Sequence, residues 1–138
     1  MEFLDILNLM IKTRLFKSTF GLLLLVGLLN LIATYFYLYW TVWWFDMVEH
    51  FLAGACVAMA SVLVYYFYNK QQPLSFRTIV MIAIASSLIV GITWELYELS
   101  FQITYLSDGL DYYLDTGSDL LMDISGGILG ALYAYGAL

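Results

Sequence analysis

Four long apolar runs constrain this chain more than any other feature of its sequence. Each run holds about 20 residues, the number that an α-helix needs to cross the roughly 30 Å of hydrocarbon in a bilayer. We place the runs at about 18–40, 43–68, 78–101 and 119–138. They are continuous and do not alternate in pieces of about ten residues, so transmembrane helices are favoured over the strands of a β-barrel.

Composition excludes a soluble domain. Hydrophobic residues make up 63% of the 138 residues and charged residues only 12%, against about 25% charged in an average soluble domain. A chain this short cannot bury so much apolar surface in a core of its own. The net charge of -6 argues against nucleic acid as a partner, because phosphate backbones attract basic proteins. We therefore expect an all-α integral membrane protein with four transmembrane helices, whose partner is the lipid bilayer.

The first 17 residues differ from the rest of the chain. Apolar residues recur at roughly helical spacing between Phe3 and Ile11, and Lys12, Arg14 and Lys17 follow. This pattern predicts a short amphipathic helix over residues 1–17 that lies on the membrane surface. A cleaved signal peptide would instead place its basic residues first and end at a small-residue site. Residues 18–138 are then expected to form a single four-helix transmembrane domain.

The five basic residues indicate the orientation of the chain. Three precede the first run, and Lys70 and Arg77 lie between the second and third runs. An even number of spans separates the two groups, so both lie on one side, which the positive-inside rule makes the cytoplasm. We expect an integral cell-membrane protein with both termini cytoplasmic. The acidic loop 102–118 then lies on the outer side.

Ionisable residues recur inside three of the four runs, where they are costly and mark functional sites by default. Their spacing puts each set on one face of a helix. The sets are Asp46, Glu49 and His50; Glu95 and Glu98; and Asp119 and Asp123. With a rise of ~1.5 Å per residue, each set lies roughly within 10 Å of the outer boundary. The sequence therefore predicts one carboxylate–histidine cluster near the extracytoplasmic face.

Six carboxylates in one partly desolvated site cannot all stay ionised without compensation. Either some are protonated or a divalent cation binds. Carboxylates with one imidazole suit magnesium, manganese, zinc or iron, and also calcium. We expect the metal ligands to be Asp46, His50, Glu95 and Asp123. The simpler alternative is that acids near the ends of spans contact headgroup water or stabilise a helix N-terminus.

The remaining acids are assigned to supporting roles. Glu49, Glu98 and Asp119 are expected to hold the ligands in place, and Glu95 or Glu49 is the candidate catalytic base. Gly126 and Gly130 form a G-x-x-x-G pair, which lets helix backbones approach closely. We expect this pair to pack the fourth helix on the second so that His50 and Asp123 meet.

Three segments together resemble a family of membrane proteins. They are F-D-x-x-x-H-F-x-x-G at 45–54, E-x-x-E at 95–98, and D-T-x-x-D-x-x-x-D with three glycines at 115–130. This order is similar to that of the YjdF-like (DUF2238) membrane proteins, and the VanZ-like family has a related arrangement. The resemblance covers about residues 43–135 and implies the fold and the cluster. The chain is shorter than expected for YjdF-like proteins, and it has Asp123 where VanZ-like chains often have asparagine.

Three functions fit these features. The first is a metal-dependent membrane hydrolase that acts on a lipid or lipid-linked substrate, although no serine or cysteine nucleophile stands beside a base. The second is a proton- or ion-handling protein. The cytoplasmic half of the second span has no titratable residues except tyrosines, so a continuous path is missing unless a homo-oligomer supplies it. The third is a non-catalytic binding protein for a cation or a lipid headgroup. We favour the first slightly, and the sequence leaves substrate and oligomeric state open.

Overall fold

In a computed structural model, which describes residues 3–138, the chain is built from α-helices and contains no strand in that range. The helices are α1 (Phe3–Met10), α2 (Arg14–Phe36), α3 (Leu38–Thr41), α4 (Phe45–Tyr68), α5 (Phe76–Ser100) and α6 (Leu110–Ala137). Four of them, α2, α4, α5 and α6, are long and apolar enough to cross a membrane. The prediction of an all-α integral membrane protein with four transmembrane helices and a short N-terminal helix is confirmed.

Local capping moves the start of the first long helix relative to the apolar run. The Thr13 hydroxyl accepts a hydrogen bond from the backbone N–H of Phe16 at 3.1 Å, so α2 already begins at Arg14. It ends at Phe36 because Tyr37 adopts a left-handed backbone conformation with φ of 58°. The N-terminal helix is therefore shorter than the predicted 1–17, of which residues 1 and 2 lie outside the described part of the chain.

The last helix differs most from the sequence prediction. It begins at Leu110 and not near Asp119, and Gly109 precedes it with a positive φ of 65°. Asp111 and Asp115 therefore lie on α6 and not in a loop. The apolar run begins only at 119 because a helix can extend beyond the hydrocarbon, where polar residues are tolerated.

Close backbone contact joins α4 to α6. A Cβ atom on Gly126 would lie 1.9 Å from the carbonyl oxygen of Phe51, and one on Gly54 would lie 2.2 Å from that of Asp123. Neither helix has room for a side chain at these points, so the two helices touch through their backbones. The expectation that the glycines bring α4 and α6 together is confirmed.

The apolar core lies at the end of the bundle where α2 and α5 begin. Its buried members include Leu15, Val62, Phe67, Ile79 and Ala134, and α1 packs Ile6 and Met10 against it. The carboxylate-bearing segments lie toward the opposite end, at the start of α4, near the end of α5 and in the first half of α6. The fold thus separates the apolar core from the carboxylate cluster.

Candidate metal centre

His50 contacts a carboxylate with each of its ring nitrogens. Nδ1 lies 3.3 Å from Oδ2 of Asp123 on α6, and Nε2 lies 3.8 Å from Oδ1 of Asp46, one turn earlier on α4. The side chains of His50 and Asp123 are buried, whereas that of Asp46 is 34% exposed. The imidazole therefore lies between the buried carboxylate of Asp123 and the partly exposed carboxylate of Asp46.

Asp119 completes a compact group of potential ligands. Asp46, His50 and Asp119 each offer one ligand atom, and these three atoms lie within 4.8 Å of one another. Ligand atoms that share one ion at bond lengths of about 2.0–2.6 Å are separated by roughly 3–5 Å. The group is thus close to the spacing that a single divalent cation requires.

The burial of Asp119 also fits a cation. Its side chain is 2% exposed, and no group among residues 3–138 donates a hydrogen bond to its Oδ1 atom. Burying a polar oxygen without a hydrogen-bond partner costs several kcal/mol for transfer from water to an apolar medium. In folded proteins the cost is about 1–3 kcal/mol. A cation bound beside His50 would supply the missing partner.

Glycines create the space that Asp123 occupies. A Cβ atom on Gly91 of α5 would lie 2.2 Å from Oδ2 of Asp123, the same oxygen that faces Nδ1 of His50. The Asp123 carboxylate is therefore enclosed by α4 and α5. It is placed to orient the imidazole from the side opposite to Asp46.

Glu95 adds a carboxylate from α5. The side chain is 6% exposed, and its Oε2 atom accepts a hydrogen bond of 2.6 Å from the Thr116 hydroxyl. Its Oε1 atom is buried and has no partner among the described residues. Through Glu95, α5 therefore contributes one oxygen that is fixed by Thr116 and one that is free of protein donors.

Glu49 and Glu98 are engaged by protein donors. The Tyr39 hydroxyl donates a short hydrogen bond to Oε2 of Glu49 and accepts one of 2.8 Å from the Asn30 side-chain amide. Glu98 accepts a hydrogen bond of 2.9 Å from the Trp94 indole N–H. Both carboxylates therefore have hydrogen-bond partners that need no metal ion.

Sequence reasoning missed four neutral residues that hold the acids directly or through a neighbour: Asn30, Tyr39, Trp94 and Thr116. Asn30 is an amide inside an otherwise apolar run, and that contrast was a usable signal. Tyr39 stands beside Trp40 at the end of the first apolar run, where the belt of aromatic residues at a membrane interface explains a tyrosine equally well. Thr116 was assigned to a loop, so its position one turn before Asp119 had no meaning until the helix was known to begin at Leu110.

Lysine and arginine do not neutralise this cluster. The ion pairs within 4 Å that involve these carboxylates are those with His50. The five basic residues lie at the opposite end of the bundle, beside the starts of α2 and α5 and the end of α4. Apart from His50, no basic side chain is therefore placed to neutralise these carboxylates, and a bound cation can take this role.

Fold and site together define a class: a small four-helix membrane protein with a buried carboxylate–histidine cluster at one end of its bundle. A family model described as predicted membrane protein (DUF2238) matches residues 3–138. The chain therefore belongs to the DUF2238 family of membrane proteins, and this match extends beyond the segment that carried the motifs. Searches of curated proteins and of solved structures find no match.

Proposed function

We propose that this protein binds one divalent metal ion through Asp46, His50 and Asp119. The observation that carries the proposal is the approach of one ligand atom from each of these residues to within 4.8 Å of the others. A buried oxygen of Asp119 that lacks a hydrogen-bond donor supports it. Of the four ligands expected from the sequence, this set keeps Asp46 and His50 and replaces Asp123 with Asp119. It leaves Glu95 out of the ligand set.

The contacts of His50 support this exchange. Metal-bound histidines usually donate the N–H of the other ring nitrogen to a carboxylate, which fixes the tautomer and the ring orientation. Asp123 lies 3.3 Å from Nδ1 and can accept that hydrogen bond. Nε2, on the side of Asp46, then keeps its lone pair for the ion.

We further propose hydrolysis of a lipid or lipid-linked substrate as the activity of this centre. A divalent ion, when bound, supplies Lewis-acid chemistry at a carbonyl or phosphoryl oxygen. Glu95 would act as the general base, because Thr116 fixes one of its oxygens and the other is free. A substrate from the bilayer suits a centre built on membrane-spanning helices.

The first experiment measures metal bound to the detergent-purified protein by elemental mass spectrometry. We expect close to one ion per chain in the wild type after equilibration with manganese, zinc or magnesium, and a loss of at least tenfold in His50→Gln and Asp119→Asn. Glu98→Gln is the matched control, because its carboxylate is held by Trp94, and it should keep the ion.

Two results would contradict the metal centre. One is a wild-type protein that carries no ion after equilibration with all three metals. The other is full metal content in Asp119→Asn, since the proposed ligand set depends on that carboxylate. Metal binding without hydrolysis of any lipid-linked ester would retain the centre and remove the proposed activity.

A further inference from the structure

Four aspartates follow one another at intervals of four residues along α6: Asp111, Asp115, Asp119 and Asp123. This interval places successive side chains on one side of a helix, about 6 Å apart along its axis. Asp111 and Asp115 are exposed, whereas Asp119 and Asp123 are 2% and 4% exposed. This aspartate row therefore runs from the surface into the bundle and ends beside His50.

The outer part of the aspartate row borders a cavity. Its volume is about 180 Å³, and its lining consists of Thr104, Asp108, Asp111, Tyr112 and Asp115. This space is large enough for several water molecules. A cavity of that size with three carboxylates in its wall suits a hydrated divalent cation.

Asp115 connects the cavity with the metal centre. It lines the cavity and stands four residues before Asp119 on α6, about 6 Å away along the helix axis. An acidic residue in the first turn of a helix is also expected to stabilise the helix dipole, which accounts for Asp111 alone. It does not account for Asp115 in the second turn or for the continuation of the row into the interior.

The inner end of the row carries an independent sign of a ligand. Oδ1 of Asp119 and Oε1 of Glu95 are buried and have no hydrogen-bond partner in the described part of the chain. The row thus leads from exposed carboxylates that water can satisfy to buried oxygens that are left unsatisfied. A cation that loses its hydration shell stepwise matches this gradient.

We infer that the aspartate row is the route by which a divalent cation reaches the metal centre from water. The inference rests on the proposed metal centre. Carboxylates on one path create a negative potential that concentrates cations and accelerates their association. Asp111 and Asp115 would attract the ion and pass it to Asp119, without remaining bound to it afterwards.

The test follows Mn²⁺ binding to the metal-free protein by stopped-flow tryptophan fluorescence. In Asp111→Asn/Asp115→Asn we expect the association rate at low salt to fall about three- to tenfold, while stoichiometry is kept and the dissociation rate changes less than about twofold. The difference should shrink in 0.5 M salt, where the Debye length is only about 4 Å. Asp111→Glu/Asp115→Glu keeps both charges and should retain the wild-type rate.

The outcomes separate the route from the centre. A double asparagine variant that binds Mn²⁺ at the wild-type rate, with the same salt dependence, overturns the route and leaves the centre intact. Loss of the stoichiometric ion in that variant would make the two residues ligands, which also overturns the route. A wild-type protein that binds no Mn²⁺ overturns the metal centre itself, and the route falls with it.

Discussion

The two ring nitrogens of His50 face different aspartates, and this difference gives the aspartates different roles. Asp123 faces Nδ1 at 3.3 Å, while Asp46 lies on the side of Nε2. Asp119 lies with Asp46 and His50 in the group that could hold an ion. From spacing alone, Asp119 and Asp123 are equivalent members of one helix face.

The first residue-scale prediction separates these two aspartates. Asp119→Asn should remove bound metal, because it removes a ligand. Asp123→Asn should keep one ion per chain but weaken its affinity by about ten- to hundredfold, the usual effect of losing a carboxylate that orients a metal-bound histidine. Competition with a chelator of known affinity measures both. If Asp123→Asn lost the ion and Asp119→Asn kept it, the ligand set expected from the sequence would be restored.

The second prediction concerns Tyr39. Tyr39→Phe leaves Oε2 of the buried Glu49 without its donor and the Asn30 amide without its acceptor. We expect a loss of about 1–3 kcal/mol in the free energy of unfolding, with metal content unchanged. Thermal unfolding in detergent measures the change, and Tyr37→Phe, at an exposed position, is the control. Loss of metal in Tyr39→Phe would instead place Glu49 among the ligands.

At the scale of elements, the contact between α4 and α6 controls the site. The two helices meet through glycine backbones at Gly54 and Gly126, and the side chains that meet His50 come from α6 directly beside this contact. A small increase in the distance between the helices would therefore separate His50 from Asp119 and Asp123 together.

Substitution of these glycines tests whether the site depends on the contact between α4 and α6. Gly126→Ala would place a methyl group 1.9 Å from a backbone oxygen of α4, and a backbone atom cannot move aside as a side chain can. We expect a loss of about 1–3 kcal/mol in stability, as for other overpacked sites, and weaker metal binding. Gly21→Ala is the matched control, because nothing lies within 4 Å of the added atom. Equal stability and equal metal affinity in the two variants would show that the contact is not critical.

For the whole molecule, charge is divided between the two ends of the bundle. The basic residues lie beside the starts of α2 and α5, and the acidic cluster lies at the start of α4, near the end of α5 and in the first half of α6. By the positive-inside rule we propose that the basic end and both termini are cytoplasmic. The metal centre would then be at the extracytoplasmic face.

Cysteine labelling tests this orientation in intact cells. Cys56 is the only native cysteine and is buried, so Cys56→Ala supplies a cysteine-free background. Ser107→Cys, at the acidic end, should react with a membrane-impermeant maleimide from outside. Gln72→Cys, at the basic end, should react only after lysis. The reverse pattern would place the metal centre on the cytoplasmic side.

The sequence by itself determined that the chain crosses a membrane four times and that the acids of three spans share one region of the bundle. Both properties depend only on the order of residues along the chain. The length of an apolar run shows whether a helix can span the membrane, and the spacing of residues shows which of them share a face of that helix. The family motifs could also be recognised in the sequence, because they consist of residue types in a fixed order. The family match over residues 3–138 agrees with them.

Only the tertiary structure decided which acid meets which nitrogen. The partner of Asp123 depends on the rotation of α6 about its own axis and on its close approach to α4, and neither is encoded in spacing along one helix. The start of α6 at Leu110 was likewise invisible to hydropathy, because the hydrocarbon boundary and the helix end are set by different forces. Burial of apolar surface fixes the first, and backbone hydrogen bonding and a glycine with positive φ fix the second.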